Sequence, residues 1–214
     1  EVVKMIKKII SSLLAGMAIS IGATIYLVLA GTSKIVGASL FAVGIMMVME
    51  FKFLLFTGYV PTQRETQNYK DYFINSGIVF LGNTVGALIT ALLLRLTRLT
   101  DAILPVCESV CATKLNDNLL SVFILAIFCG IIIAAIVKAD NYKKQVLYVV
   151  MMIAVFILAS FEHVVANAFY LSFTFDIFTL DGILFMLVNM LGNFVGGYAF
   201  SYVGKIAVNK QNIE

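Results

Sequence analysis

Ser160-Phe161-Glu162-His163-Val164-Val165-Ala166-Asn167-Ala168-Phe169 contains the only histidine of the chain, next to a carboxylate and four residues before an amide. Residues 146–160 before it carry no charge, and the chain after it is apolar again. Ionisable groups inside such a stretch are expensive in hydrocarbon unless they face a cavity or a partner. The stretch therefore reads as a membrane span that breaks, its polar turn lining a path for a polar solute. A turn at the membrane surface, with Glu162 and His163 in water, is the plain alternative on these residues alone.

Composition places the whole chain in the membrane. Of 214 residues 61% are hydrophobic and 13% charged, against roughly 25% charged in soluble domains. A soluble core has no room for that much apolar surface, whereas a lipid-facing exterior does. The net charge of +3 comes from Lys and Arg at the ends of apolar runs, so it carries no nucleic-acid reading. Cys107, Cys111 and Cys129 make an odd count without a C-x-x-C pair. Cys107 and Cys111 share a helix face, but no second ligand pair exists for a metal, and small apolar fillers explain all three. Lys4, Lys7 and Lys8 precede a run too long for a signal peptide, which reads as a retained span.

Runs of about 20 apolar residues give six spans, near residues 9–31, 35–56, 72–94, 119–137, 145–160 and 182–203. The second is interrupted around Glu50-Phe51-Lys52 and resumes as Phe53-Leu54-Leu55-Phe56 before Thr57-Gly58; the fifth runs into the polar turn. Six spans put both termini on one side. That side collects Lys4, Lys7, Lys8, Arg64, Lys70, Lys138, Lys143, Lys144, Lys205 and Lys210, the other only Lys34, Arg95, Arg98 and Lys114. The excess predicts cytoplasmic termini.

An internal repeat links the halves. Leu81-Gly82-Asn83-Thr84-Val85-Gly86 returns as Leu191-Gly192-Asn193-Phe194-Val195-Gly196, an offset of 110 residues. The same offset carries Thr57 onto Asn167, so the two broken spans correspond. An odd number of spans per half requires the halves to be inverted, about 1–104 against 105–214 within one domain. Inverted repeats with interrupted spans at matching positions mark transport proteins, the path lying between the breaks. Gly82 and Gly86, like Gly192 and Gly196, have the spacing of close helix packing.

At the breaks, unpaired backbone groups are tolerated only where they line a cavity, and Thr57 and Asn167 supply side-chain partners there. Phe41, Ile45, Leu55, Phe56 and Phe156 flank the region and are able to narrow a pore by dewetting, although on these residues alone ordinary packing or lipid contact is the plainer reading. Lys114, five residues before an uncharged span, reads by itself as an interfacial lysine. His163 is the group suited to proton exchange near neutral pH.

Phe161-Glu162-His163-Val164-Val165-Ala166-Asn167 resembles the F-E-H-x-x-A-N signature of the formate/nitrite transporter family, and Leu55-Phe56-Thr57-Gly58 resembles its L-F-T-G turn. The repeated L-G-N segments fit the third and sixth spans, so the resemblance covers nearly the whole chain. It implies an aquaporin-like protomer of six helices, assembled as a pentamer with a pore in each protomer. It places Thr57 and His163 in a central vestibule, with Lys114 approaching from the loop before the fourth span. Asn167 matches the asparagine near that centre and Glu162 the acid preceding the histidine. Phe41, Ile45, Leu55, Phe56 and Phe156 match two apolar constrictions. The chain departs from the pattern at Cys129-Gly130, where many members carry asparagine after the cysteine, and at Lys52-Phe53-Leu54 before the turn, where an acidic residue is usual. The glycine is similar to the hydrosulfide branch, and a smaller side chain beside the vestibule suits a larger, softer anion. Hydrosulfide is thus the first expected substrate, then formate, then nitrite.

The expected function is passage of small monovalent anions through the bacterial cytoplasmic membrane, without cofactor, metal or nucleic acid. The charge at mid-membrane would be offset by Lys114, by N–H groups at the breaks, and by Thr57 and His163. An aquaporin-type channel for neutral solutes would share the repeat but carry N-P-A at both breaks, which this chain lacks. An enzyme with His163 as base would need a nucleophilic serine in a setting of the G-x-S-x-G type, and no such pentapeptide is present. No nucleotide motif indicates ATP-driven pumping.

Overall fold

The computed structural model describes residues 2–63, 67–139 and 146–211, with side chains described as far as Ala207. Arg64, Lys143, Lys144 and Gln145, used above for orientation and for the start of the fifth span, lie outside the described residues, and Lys210 is described as backbone only. Among the described residues the chain is all helical, with no strand. The helices are α1 (Val2–Ala30), α2 (Lys34–Leu40), α3 (Ala42–Phe51), α4 (Phe56–Gln63), α5 (Tyr69–Leu94), α6 (Thr100–Leu115), α7 (Leu119–Lys138), α8 (Val146–Leu158), α9 (Val164–Thr174) and α10 (Leu180–Gln211). Five stretches, Val2–Ala30, Lys34–Phe51, Tyr69–Leu94, Leu119–Lys138 and Leu180–Ala207, are long and apolar enough to cross a membrane; α8 and α9 are shorter apolar helices.

Both expected interruptions are present, and they are built alike. α3 ends at Lys52 and α8 just before Ser160, two non-glycine residues with left-handed backbone (φ 55° and 56°). In each case the amide after that residue reaches back five positions, Phe53 N–H to Val48 O at 2.9 Å and Phe161 N–H to Phe156 O at 3.0 Å. This is the Schellman termination, which satisfies carbonyls a helix end leaves open. Three extended residues follow before α4 and α9 begin.

Each interruption is held by an asparagine from a neighbouring helix. Asn83 of α5 accepts the Phe56 N–H at 2.7 Å and donates to Leu54 O at 2.9 Å and Ser12 O at 2.6 Å. Asn193 of α10 accepts the Val164 N–H at 2.9 Å and donates to Glu162 O at 2.7 Å and Ala126 O at 2.8 Å. These amides supply what an interrupted backbone in hydrocarbon lacks. The breaks recur at a spacing of 108 residues (Lys52 to Ser160), whereas the asparagines recur at 110. Thr57 is therefore equivalent to Val165 and Leu55 to His163, and the sequence-based pairing of Thr57 with Asn167 is corrected. The stretch from break to asparagine is two residues longer in the second half.

Glycines let the helices come close enough for those bonds. A Cβ on Gly86 would lie 2.1 Å from Leu13 O, and one on Gly196 would lie 2.1 Å from Ile127 O. α1 thus packs in parallel on α5, and α7 on α10, while Gly22 and Gly44 bring α1 against the antiparallel α2–α3 segment. The same two helices turn apolar faces outward, with Leu81 61% and Leu191 52% exposed. α9 is the inverse case: every residue from 164 to 173 is buried, so the helix runs through the middle of the bundle.

α6 was not expected. The segment before α7 forms a 16-residue helix instead of a loop, and Lys114 lies in its last turn.

Candidate functional site

The site forms where α4 and α9 begin. His163 caps α9, its ring Nδ1 accepting the Ala166 N–H at 3.1 Å. With Nδ1 an acceptor, the proton of a neutral imidazole sits on Nε2. Nε2 then donates to Thr57 Oγ1 at 3.0 Å, so the first turns of the two half-helices touch. Thr57 and His163 are both buried. The Thr57 hydroxyl proton has no acceptor among the described residues, and neither do the backbone N–H groups of Thr57 and Val165, the second residues of the two half-helices. Free N–H groups at helix starts carry the positive end of the helix dipole and favour anions.

Glu162, ambiguous in the sequence, is settled by its partners. Its Oε2 takes the Lys114 ammonium at 2.5 Å and the Asn167 amide at 2.6 Å. Lys114 is therefore not a lone charge; it is paired with Glu162 from the last turn of α6. Beside this triad lies a cavity of about 890 Å³ whose walls include Lys114, Glu162, His163, Asn167, Phe41 and Phe156. Lys34, Asn116 and Asp117 also line it, so it belongs to the end of the bundle where α1 ends and α7 begins. Tyr26 and Tyr170 on its wall escaped the sequence reading, because no local pattern sets them apart, and Lys34 was read there only as a charge for orientation. Asn83 and Asn193 escaped it as well, although a polar residue repeated within two apolar spans was a visible signal.

The apolar candidates divide. Phe41 and Phe156 meet edge to face with ring centres 5.9 Å apart, and Phe156 lies 6.0 Å from the His163 ring. The pair thus lines the cavity beside His163, next to the Thr57–His163 contact. Ile45, Leu55 and Phe56 are buried; Phe56 packs on Phe80 of α5 at 5.6 Å, and none of the three reaches the cavity wall.

Gly130 is not beside the cavity. A Cβ there would meet Asn193 O at 2.5 Å and Gly197 N at 2.8 Å, so the residue is small because α7 and α10 touch at that point. Added room for a larger anion is not its consequence. Among the described residues no cluster of His, Cys, Asp and Glu is able to hold a metal ion.

Comparison with known proteins gives a consistent result. The model of the family described as "Formate/nitrite transporter" matches residues 2–207. A solved structure described as "Pentameric formate channel with formate bound" superposes with a TM-score of 0.82 at 21% identity, covering 96% of this chain and 98% of that one. Another, an "FNT family ion channel", gives 0.81 at 21% identity, covering 95% and 90%. No match was found among curated proteins.

Proposed function

Since the chain belongs to the formate/nitrite transporter family, whose members and structural neighbours are channels and not enzymes, we propose that it conducts small monovalent anions through a path at the Thr57–His163 contact. The observation that carries this reading is the convergence of three unused donors at one place: the Thr57 hydroxyl and the N–H groups of Thr57 and Val165. An anion in the apolar middle of a membrane loses hydration worth several kcal/mol or more. Fixed donors at two helix starts replace it without the trapping strength of a full charge.

The anion is gathered in the cavity by the Lys114 ammonium, whose charge is tempered by Glu162. It then passes the Phe41–Phe156 pair, an apolar narrowing that excludes bulk water. Ile45, Leu55 and Phe56 form the narrowing on the far side, and Asn167 steadies Glu162. His163 donates through Nε2. For the anion of a weak acid it is also the group able to pass a proton.

The chain is read as one domain of two inverted repeats, about 1–104 and 105–214. The paired breaks, the paired asparagines and the parallel packing of α1 on α5 and of α7 on α10 support that reading. It is placed in the bacterial cytoplasmic membrane with both termini cytoplasmic, as a pentamer, without cofactor, metal or nucleic acid. Hydrosulfide is proposed as the first substrate, then formate, then nitrite. The order rests on the resemblance of Cys129-Gly130 to the hydrosulfide branch and not on the space at Gly130.

Purified protein in liposomes, assayed for HS⁻, formate, nitrite and chloride flux at two pH values, tests the proposal. Anion flux above that of empty liposomes, with HS⁻ highest, is expected. Water conductance without anion flux would point instead to a neutral-solute channel and overturn it.

A further inference from the structure

The far end of α9 is held by a cation. The helix stops at Thr174 because Phe175 takes left-handed backbone (φ 66°), and a helix end leaves its last carbonyls without partners inside the helix. The Phe175 N–H reaches Ser172 O at 3.3 Å, and Phe173 O is taken by the guanidinium of Arg95, the residue that follows α5. The same guanidinium lies over two aromatic rings, 4.5 Å from the centre of Phe175 and 5.5 Å from that of Phe173. Among the described residues Arg95 forms no ion pair, since Asp176 turns to the Thr174 hydroxyl instead, at 2.6 Å. Its positive charge is therefore spent on the end of α9 and on two ring faces.

The internal repeat gives this arrangement a counterpart. An offset of 110 residues carries Arg95 onto Lys205, which together with Val60 and Pro61 of α4 lines a hollow of about 200 Å³ at the other end of the bundle. Each long helix thus serves both half-helices. α5 brings Asn83 to the start of α4 and Arg95 to the end of α9, while α10 brings Asn193 to the start of α9 and Lys205 beside the last turn of α4.

A helix start draws an anion through the positive end of its dipole, and the negative end of the same helix works against it. In α9 the two ends are close, because 11 residues at 1.5 Å each span only about 15 Å. At an effective dielectric constant of about 20, a unit charge at that distance changes the binding of a monovalent anion by about sixfold. Arg95 is half-buried, and screening by water reduces this to about threefold. Arg95 does not line the cavity, so an anion has no need to touch it.

We infer that Arg95 is a positioning residue of the anion path, which cancels the negative end of α9 and so strengthens the hold of its N-terminal N–H groups on the passing anion. The inference rests on the reading that anions pass at the Thr57–His163 contact, and it adds to that reading the residue that sets how tightly they are held there.

Initial flux of HS⁻ and of formate into liposomes, measured against anion concentration at pH 7, tests it. Arg95→Gln keeps a donor for Phe173 O without the charge, and should raise the half-saturating concentration about threefold while maximal flux stays near that of the wild type. Arg95→Lys should restore the wild-type value. Arg98→Gln, which removes an exposed cation three residues further on, should leave it unchanged. Phe175 offers a second test with Arg95 in place. Asp and Asn both tolerate left-handed backbone, so Phe175→Asp and Phe175→Asn lose the same ring and differ only in charge; the Asp variant alone should raise the half-saturating concentration. Equal values for those two variants, or an unmoved value in Arg95→Gln beside a lowered unfolding temperature, would overturn the inference and leave Arg95 a cap that only stabilises the fold. Equal shifts in Arg95→Gln and Arg98→Gln would overturn it in favour of general attraction by surface charge. In each of these cases the wild type still conducts anions. Wild-type liposomes without anion flux would instead overturn the reading of the path, and this inference with it.

Discussion

His163 does two jobs that need different nitrogens. Nδ1 caps α9 and Nε2 meets Thr57, so a proton added at Nδ1 would face the Ala166 N–H and end the cap. Asparagine is among the best helix caps, so His163→Asn should leave α9 intact while removing the exchangeable proton. Chloride flux should persist, and weak-acid flux should lose its pH dependence between about pH 5 and 8, the range in which only histidine ordinarily titrates. Unchanged pH profiles for all anions would remove His163 from the transport step. Lys114 requires a paired test. Lys114→Met alone strands the Glu162 carboxylate, which is 4% exposed, and loss of one partner of a buried pair costs about 3–5 kcal/mol, less here because the pair borders a cavity. Lys114→Met with Glu162→Gln removes both charges and should recover most of that stability, yet anion flux should stay low because the ammonium donor is gone. Normal flux in the double variant would make the pair purely structural.

The elements that define the fold are the two short helices that start inside the bundle, and each depends on one asparagine. Asn83→Ala leaves the Phe56 N–H and the Leu54 carbonyl without partners at a fully buried position, while the Ser12 carbonyl keeps its bond within α1. Two such losses should cost about 2 kcal/mol or more. Asn193→Ala should cost about the same, since it strands the matching groups at Val164 and Glu162. Denaturation in detergent measures both. A tolerant Asn83→Ala beside a damaging Asn193→Ala would show that only the second break needs its asparagine. Gly86 and Gly196 belong to the same arrangement, because without contact at the Leu13 and Ile127 carbonyls the asparagines would not reach the breaks.

Taken whole, the molecule is a bundle whose outer faces remain apolar and whose polar groups gather at the two breaks and at the cavity beside them. That distribution is stable only in lipid, since a soluble domain would leave Leu81, Leu191 and their neighbours in water. Assembly belongs to this scale too. The mass in detergent, corrected for the bound micelle, should equal five chains of 23.4 kDa; a monomer or tetramer would refute the pentamer.

The membrane setting, the broken spans and the repeat were legible in the chain because they are one-dimensional: apolar run length, polar interruptions and a recurring L-G-N follow from counting residues. Phe161-Glu162-His163 and its neighbours were legible as a family signature, though not as geometry. Tertiary structure alone decided that Glu162 faces Lys114, that α6 brings that lysine in, and that Gly130 is small for helix contact. It alone decided that Thr57 matches Val165 and not Asn167. Each of these depends on groups many residues apart meeting in space, 48 between Lys114 and Glu162 and 106 between Thr57 and His163. A carboxylate carries no mark in its local sequence of which distant cation will neutralise it; only the packing of helices α6 and α9, set by backbone contacts elsewhere, fixes that distance.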